Sequence, residues 1–129
     1  MRFSFKFGDS EELSDRLIQL VRAGKKTATC GALREYGSGK EEMPAVGRQD
    51  IALNWDDSPA LLLETVEVQH LRFCDVDEYF ALAEGENETL QGWQRDHKAY
   101  FERTGGFDPE MVLVCERFRL VRDLEADPD

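Results

Sequence analysis

Residues Ala60–Phe73 read "ALLLETVEVQHLRF". Within this run Thr65-Val66-Glu67-Val68-Gln69 alternates polar and apolar side chains, the period-two signature of a strand. The run is rich in β-branched and large apolar residues, and "DDSP" (56–59) before it reads as a turn. Gln49–Trp55 is a second strand candidate. Downstream, "DVDEYFALAEG" (75–85) opens with a good capping residue and predicts a helix. Residues 86–106 predict another from about Thr89, with Leu90, Trp93, His97, Tyr100 and Phe101 on one face. "MVLVCERFRLVRDL" (111–124) predicts a closing strand, and residues 125–129 a disordered tail.

Upstream, Phe3, Phe5 and Phe7 alternate with polar residues and predict a strand over Arg2–Phe7. Asp9 with Glu12 has the form of a capping box. Leu13, Leu17, Leu20 and Val21 then mark one face of a helix ending near Ala23, with Gly24 as its left-handed stop. Thr27–Cys30 predicts a short strand, "GALREY" (31–36) one helical turn, and 37–47 a flexible loop that is a candidate gate. The order is strand, helix, strands, two helices, strand. It predicts a single α+β domain over residues 1–124, a curled mixed sheet or β-barrel with helices packed on the outside.

The chain has 129 residues and a formal net charge of −11. Such a surface repels nucleic-acid backbones and disfavours a protein that lives by long phosphate contacts. The charge is uneven. Residues 16–34 carry Arg16, Arg22, Lys25, Lys26 and Arg34 and no acid, a local +5 that leaves −16 elsewhere. This basic island suits a small electron-rich substrate. The apolar runs are too short to cross a membrane, and the N-terminus lacks a signal-peptide core. The cysteines Cys30, Cys74 and Cys115 are odd in number and have no C-x-x-C spacing. They point to a reducing cytoplasm rather than a disulfide frame or a zinc site.

The island contains Gly24-Lys25-Lys26-Thr27-Ala28-Thr29. It is not a phosphate loop, because Lys26 rather than Ser or Thr follows Gly24-Lys25 and the helix precedes it. No metal pattern surrounds His70 or His97, and His97, beside Trp93 and Phe101, reads as a packing or hydrogen-bonding residue. No Gly-x-Ser-x-Gly elbow exists, and Cys30 reads as a buried thiol. A lysine with a lowered pKa beside a threonine is a nucleophile pair; a surface lysine at a helix C-terminus is the structural alternative. An ideal strand puts Lys26 and Thr29 on opposite faces, so their convergence needs a turn or bulge after Gly24. Trp55, Trp93 and Phe101 read as core or sheet packing, and Tyr36 and Tyr100 as candidate stacking partners; Glu116 either points an acid into the barrel mouth or, as expected, is turned to solvent by a bulge.

"FGDS", "GKKTAT", "AEGENETLQGW", "HKAYF" and "VLVCERFRLV" together resemble the ASCH superfamily, from Phe7 to about Val121. The resemblance implies a PUA-like mixed β-barrel. Within the superfamily, bacterial amidohydrolases that deacylate 4-acetylcytidine share Gly-x-Lys-Thr-x-Thr and Glu-x-Glu-Asn-x-Thr-Leu-like stretches. By that resemblance Thr29 is the nucleophile, Lys26 the base, and Glu86 the orienting or proton-donating acid. Lys25, Thr27, Arg34 and Tyr36 are the expected substrate contacts. Arg34 is expected to stand in for an arginine that the family often carries where this chain has Gly31. No metal or organic cofactor is implied. On this reading Lys26→Ala and Thr29→Ala each remove activity and leave the thermal midpoint nearly intact. Other branches of the superfamily are linked to RNA binding or cleavage, so an RNA module is the alternative. A third possibility is a regulatory domain gripping a small nucleotide's phosphate with Lys25 and Lys26.

Overall fold

Strand Phe3–Phe5 (β1) leads into helix Glu11–Arg22 (α1), and strand Ala28–Ala32 (β2) follows. Strands Gln49–Leu53 (β3) and Pro59–Arg72 (β4) come next, then helices Glu78–Ala83 (α2) and Leu90–Thr104 (α3), and strand Val112–Asp123 (β5) closes the chain. The structure, a computed structural model, describes residues 3–37 and 40–125. The five strands form one mixed sheet in the order β1-β3-β4-β5-β2. Only β1 and β3 run parallel; the other neighbours are antiparallel. Register shifts in the β4–β5 ladder at Leu62/Leu63 and Thr65/Glu67 interrupt the pairing of the two long strands. Bulges of this kind bend a strand and increase its twist, and the sheet curls into a half-barrel.

The expected α+β architecture is present, with local differences. The cap of α1 is Ser10, whose Oγ accepts from the Leu13 amide at 3.2 Å. Asp9 instead accepts from Arg103 at 2.8 Å and pins the start of α1 to the end of α3. Ile18 and Ser14 join Leu17 and Val21 on the buried face, while Leu20 is only partly buried. The helix expected over 75–85 is shorter, because Phe73–Asp75 forms a separate 3-10 turn and Asp77 caps α2 through the Phe80 amide. Trp55 lies in the turn rather than packing in the sheet, with the Lys6 ammonium 5.0 Å from its ring centroid. Glu125, expected to open a disordered tail, is held by Arg22 at 2.9 Å and by Asn54 at 3.1 Å. The rest of that tail, and positions 38 and 39 of the expected loop, lie outside the described residues.

Two apolar clusters anchor the sheet. One gathers Trp93, Phe101, Phe73 and Phe80 with Leu113, beneath α2 and α3. The other gathers Leu17, Ile18 and Val21 with Phe7, Leu61 and Phe118, beneath α1. Between them meet the C-terminus of α1, the start of β2 and the α2–α3 loop.

Candidate active site

The junction is built by local backbone chemistry. Gly24 takes φ +78° at the end of α1, and the amides of Lys25 and Lys26 both donate to Leu20 O, at 2.9 and 3.1 Å. This tight turn frees Lys26 from strand geometry, since β2 starts only at Ala28. The Thr27 amide then donates to Ala83 O at 2.8 Å and ties the segment to the end of α2. Gly85, also at φ +78°, lets the α2–α3 loop pass so close that a Cβ there would collide with the Lys25 carbonyl. Gly85→Ala therefore carries both a left-handed backbone and a clash with immobile backbone. We expect it to cost about 2 kcal/mol or more in denaturant unfolding; an unchanged unfolding midpoint would contradict this packing.

Lys26 is 1% exposed. Its Nζ lies 3.1 Å from Glu86 Oε2 and 3.4 Å from Glu84 Oε1. The Phe7 ring covers it, with its centroid at 5.7 Å. Glu84 is equally buried. Its Oε2 accepts from Trp93 Nε1 at 2.9 Å, and its Oε1 lies 3.5 Å from His97 Nε2. His97 stacks on Trp93 and keeps Nδ1 2.9 Å from Trp93 O. Burial works against the charge on Lys26, but Glu84 and Glu86 outweigh it and raise its pKa. Burial likewise opposes ionisation of Glu84, yet Lys26 and His97 hold its carboxyl down, to about 2. The lysine is thus an ammonium in the resting state, not the free base expected of a lowered pKa. Its pairing with two carboxylates also leaves no positive field for gripping phosphate.

Thr29 shares a cavity of about 290 Å³ with Lys26, Glu84, Glu86 and His97. The three residues expected as the reactive set thus border one space. A larger cavity of about 590 Å³ adjoins it, and Phe7, Thr29, Cys30 and Tyr100 border both. Tyr36 lines the larger one. Three expected contacts lie elsewhere. Lys25 is exposed on the turn and borders neither cavity. Thr27, just before β2, turns its Oγ1 toward Ala83 O. Arg34 donates to Gly106 O at 2.8 Å and borders neither cavity.

Several contributors escaped the sequence reading. Glu84 looked like one more acid before a helix, yet it is the hub of the buried network. His97 does make hydrogen-bonding contacts, but with the site itself. Glu116 faces the cavity rather than solvent: it is the cross-strand partner of Thr29, accepts from Thr65 Oγ1, and lines the larger space. Burial raises its pKa. Beside it the Arg48 guanidinium forks onto Asp50, with both contacts at 3.0 Å. Only the paired acids of "EGE", two residues apart around a glycine, offered a sequence signal for Glu84.

The sequence profile of the ASCH domain matches residues 3–122. An ASCH domain structure from Lactobacillus crispatus JV V101 is 32% identical, with 93% of this chain and 80% of that one covered at a TM-score of 0.84. A protein structure from Enterococcus faecalis V583 is 35% identical, with 100% and 86% covered at a TM-score of 0.84. A mutant ASCH protein from Zymomonas mobilis shares the fold at 12% identity, with 95% and 72% covered and a TM-score of 0.53. No curated protein matches the chain. With a half-barrel carrying three helices, and the domain profile spanning nearly its whole length, this chain belongs to the ASCH domain family and has its PUA-like α+β fold.

Proposed function

We propose that the chain is an amidohydrolase that removes acyl groups from the exocyclic amine of cytidine-type compounds. The observation that carries this reading is a buried ammonium, 3.1 Å from Glu86, on the same cavity as the hydroxyl-bearing Thr29. Thr29 Oγ attacks the acyl carbon. Because Lys26 starts charged, it relays rather than simply accepts: it gives one proton to Glu86 as it takes the proton of Thr29. The carbon–nitrogen bond then breaks, Glu86 returns its proton to the exocyclic nitrogen, and the cytosine amine leaves. Water attacks the threonine ester, and its proton passes to Glu86. Lys26 reprotonates the departing Thr29 oxygen and recovers a proton from Glu86.

The chemistry suits a weak nucleophile pair. Conjugation of the exocyclic nitrogen with the ring makes this amide more activated than a peptide bond. Tyr36 and Tyr100 offer aromatic walls for the ring in the larger cavity. Glu116, across the ladder from Thr29 and on the larger cavity, supports this reading as a partner for the polar edge of the base. No helix of the described residues is long and apolar enough to cross a membrane, and three free thiols suit the cytoplasm.

Mixing the protein with 4-acetylcytidine should convert its ultraviolet spectrum to that of cytidine. Absence of conversion together with binding or cleavage of RNA oligonucleotides would replace this reading with an RNA-directed one.

A further inference from the structure

The geometry points to a zinc-binding site formed by Cys30, Glu84 and His97, whose occupation blocks the Lys26 cleft. One ligand atom from each residue lies within 4.8 Å of the other two. The His97 Nε2 to Glu84 Oε1 distance is 3.5 Å. A tetrahedral zinc ion with bonds of about 2.0–2.3 Å holds its ligand atoms roughly 3.2–3.7 Å apart. The imidazole and the carboxylate already have that spacing, and an approach of about 1 Å by the thiol side chain completes the set.

The surroundings are those of a metal site. Ligating histidines typically anchor the other ring nitrogen on a carbonyl or carboxylate. His97 Nδ1 is 2.9 Å from Trp93 O, and the ring is clamped by stacking at 4.3 Å between centroids. The far oxygen of Glu84 is fixed by Trp93 Nε1 at 2.9 Å, leaving Oε1 to face the cluster. All three residues line the smaller cavity, which supplies an entry path and a fourth coordination position for water. A thiolate, an imidazole and one carboxylate favour zinc over magnesium or calcium, which prefer all-oxygen sets. On binding, the Cys30 thiol gives its proton to solvent, as does His97 where it is protonated, and no redox change occurs.

Zinc would compete with an ammonium. Lys26 Nζ contacts the same Glu84 oxygen at 3.4 Å. A divalent ion on that oxygen repels Lys26 and takes one of its acceptors, leaving it the Glu84 carbonyl and Glu86. Inhibition is the consequence, and that part alone rests on the proposed hydrolysis.

The test is competition for Zn²⁺ between the full chain and a chromogenic chelator, without substrate. We expect one zinc per chain. Cys30→Ser and His97→Gln should each weaken binding at least tenfold, and Cys74→Ser should leave it unchanged. Co²⁺ in place of zinc should give thiolate charge-transfer absorption in the near ultraviolet that Cys30→Ser abolishes, a readout that needs no histidine variant. Zinc should suppress hydrolysis and a chelator should restore it. Zinc binding that survives Cys30→Ser, or that is lost with Cys74→Ser, overturns the site, as does a wild-type chain that takes up no zinc. A chain that binds zinc through these residues but hydrolyses no acylcytidine supports the site and overturns the hydrolase reading.

Discussion

Lys26→Ala is expected to unfold at a markedly lower temperature than the wild-type chain, as well as losing activity. The substitution deletes the main cation facing Glu84, which is 1% exposed and cannot be rehydrated without opening the junction. Breaking a buried ion pair from one side costs about 3–5 kcal/mol. For a domain of this size that corresponds to a fall of roughly 10 °C or more in thermal midpoint. His97 and Trp93 still contact the carboxylate, so the low end of the range applies. The double variant Lys26→Ala with Glu84→Gln removes the stranded charge and should recover at least half of the loss. A single variant that melts within about 2 °C of wild type would refute the buried-network account. This expectation replaces the sequence-based one of a nearly unchanged midpoint. Lysines are almost never fully buried unless paired, and nothing near Lys26 in the chain announces its partners.

Thr29→Ala should behave in the opposite way. The side chain lies on a five-residue strand whose ladder to β5 is backbone-made. Its loss should change stability by less than about 1 kcal/mol. Turnover of 4-acetylcytidine should nonetheless fall by about 10³-fold or more, as when an enzyme loses its nucleophile. Thr29→Ser should retain measurable activity. Thr27→Ala is the informative control, because Thr27 donates to Ala83 O and borders neither cavity. Full turnover by Thr29→Ala would end the nucleophile assignment, and Thr27 would not inherit it.

The strands and helices were legible because each carries a local cause. Alternation in "TVEVQ", the apolar face of residues 13–21, and glycine at position 24 all act within a few residues of chain. The set Lys26, Thr29 and Glu86 came from resemblance rather than from period or spacing, and strand geometry alone argued against it. Its convergence depends on the Gly24 turn, with Lys26 placed before β2 begins. Lys25, Thr27 and Arg34 border neither cavity, because adjacency in sequence says nothing about which way a side chain leaves a turn.

Element order and the helix stops are thus properties of short windows, readable from residue type alone. Glu84 under Lys26 and Glu116 across from Thr29 join residues far apart in the chain, and His97 reaches Glu84 from the middle of the next helix. Their pairing follows from ladder register, from the bulges that curl β4 against β5, and from a glycine that lets two loops touch. Such contacts form only when the apolar clusters under α1 and under α3 close on the same sheet, so the electrostatics of the cleft belong to the packed molecule.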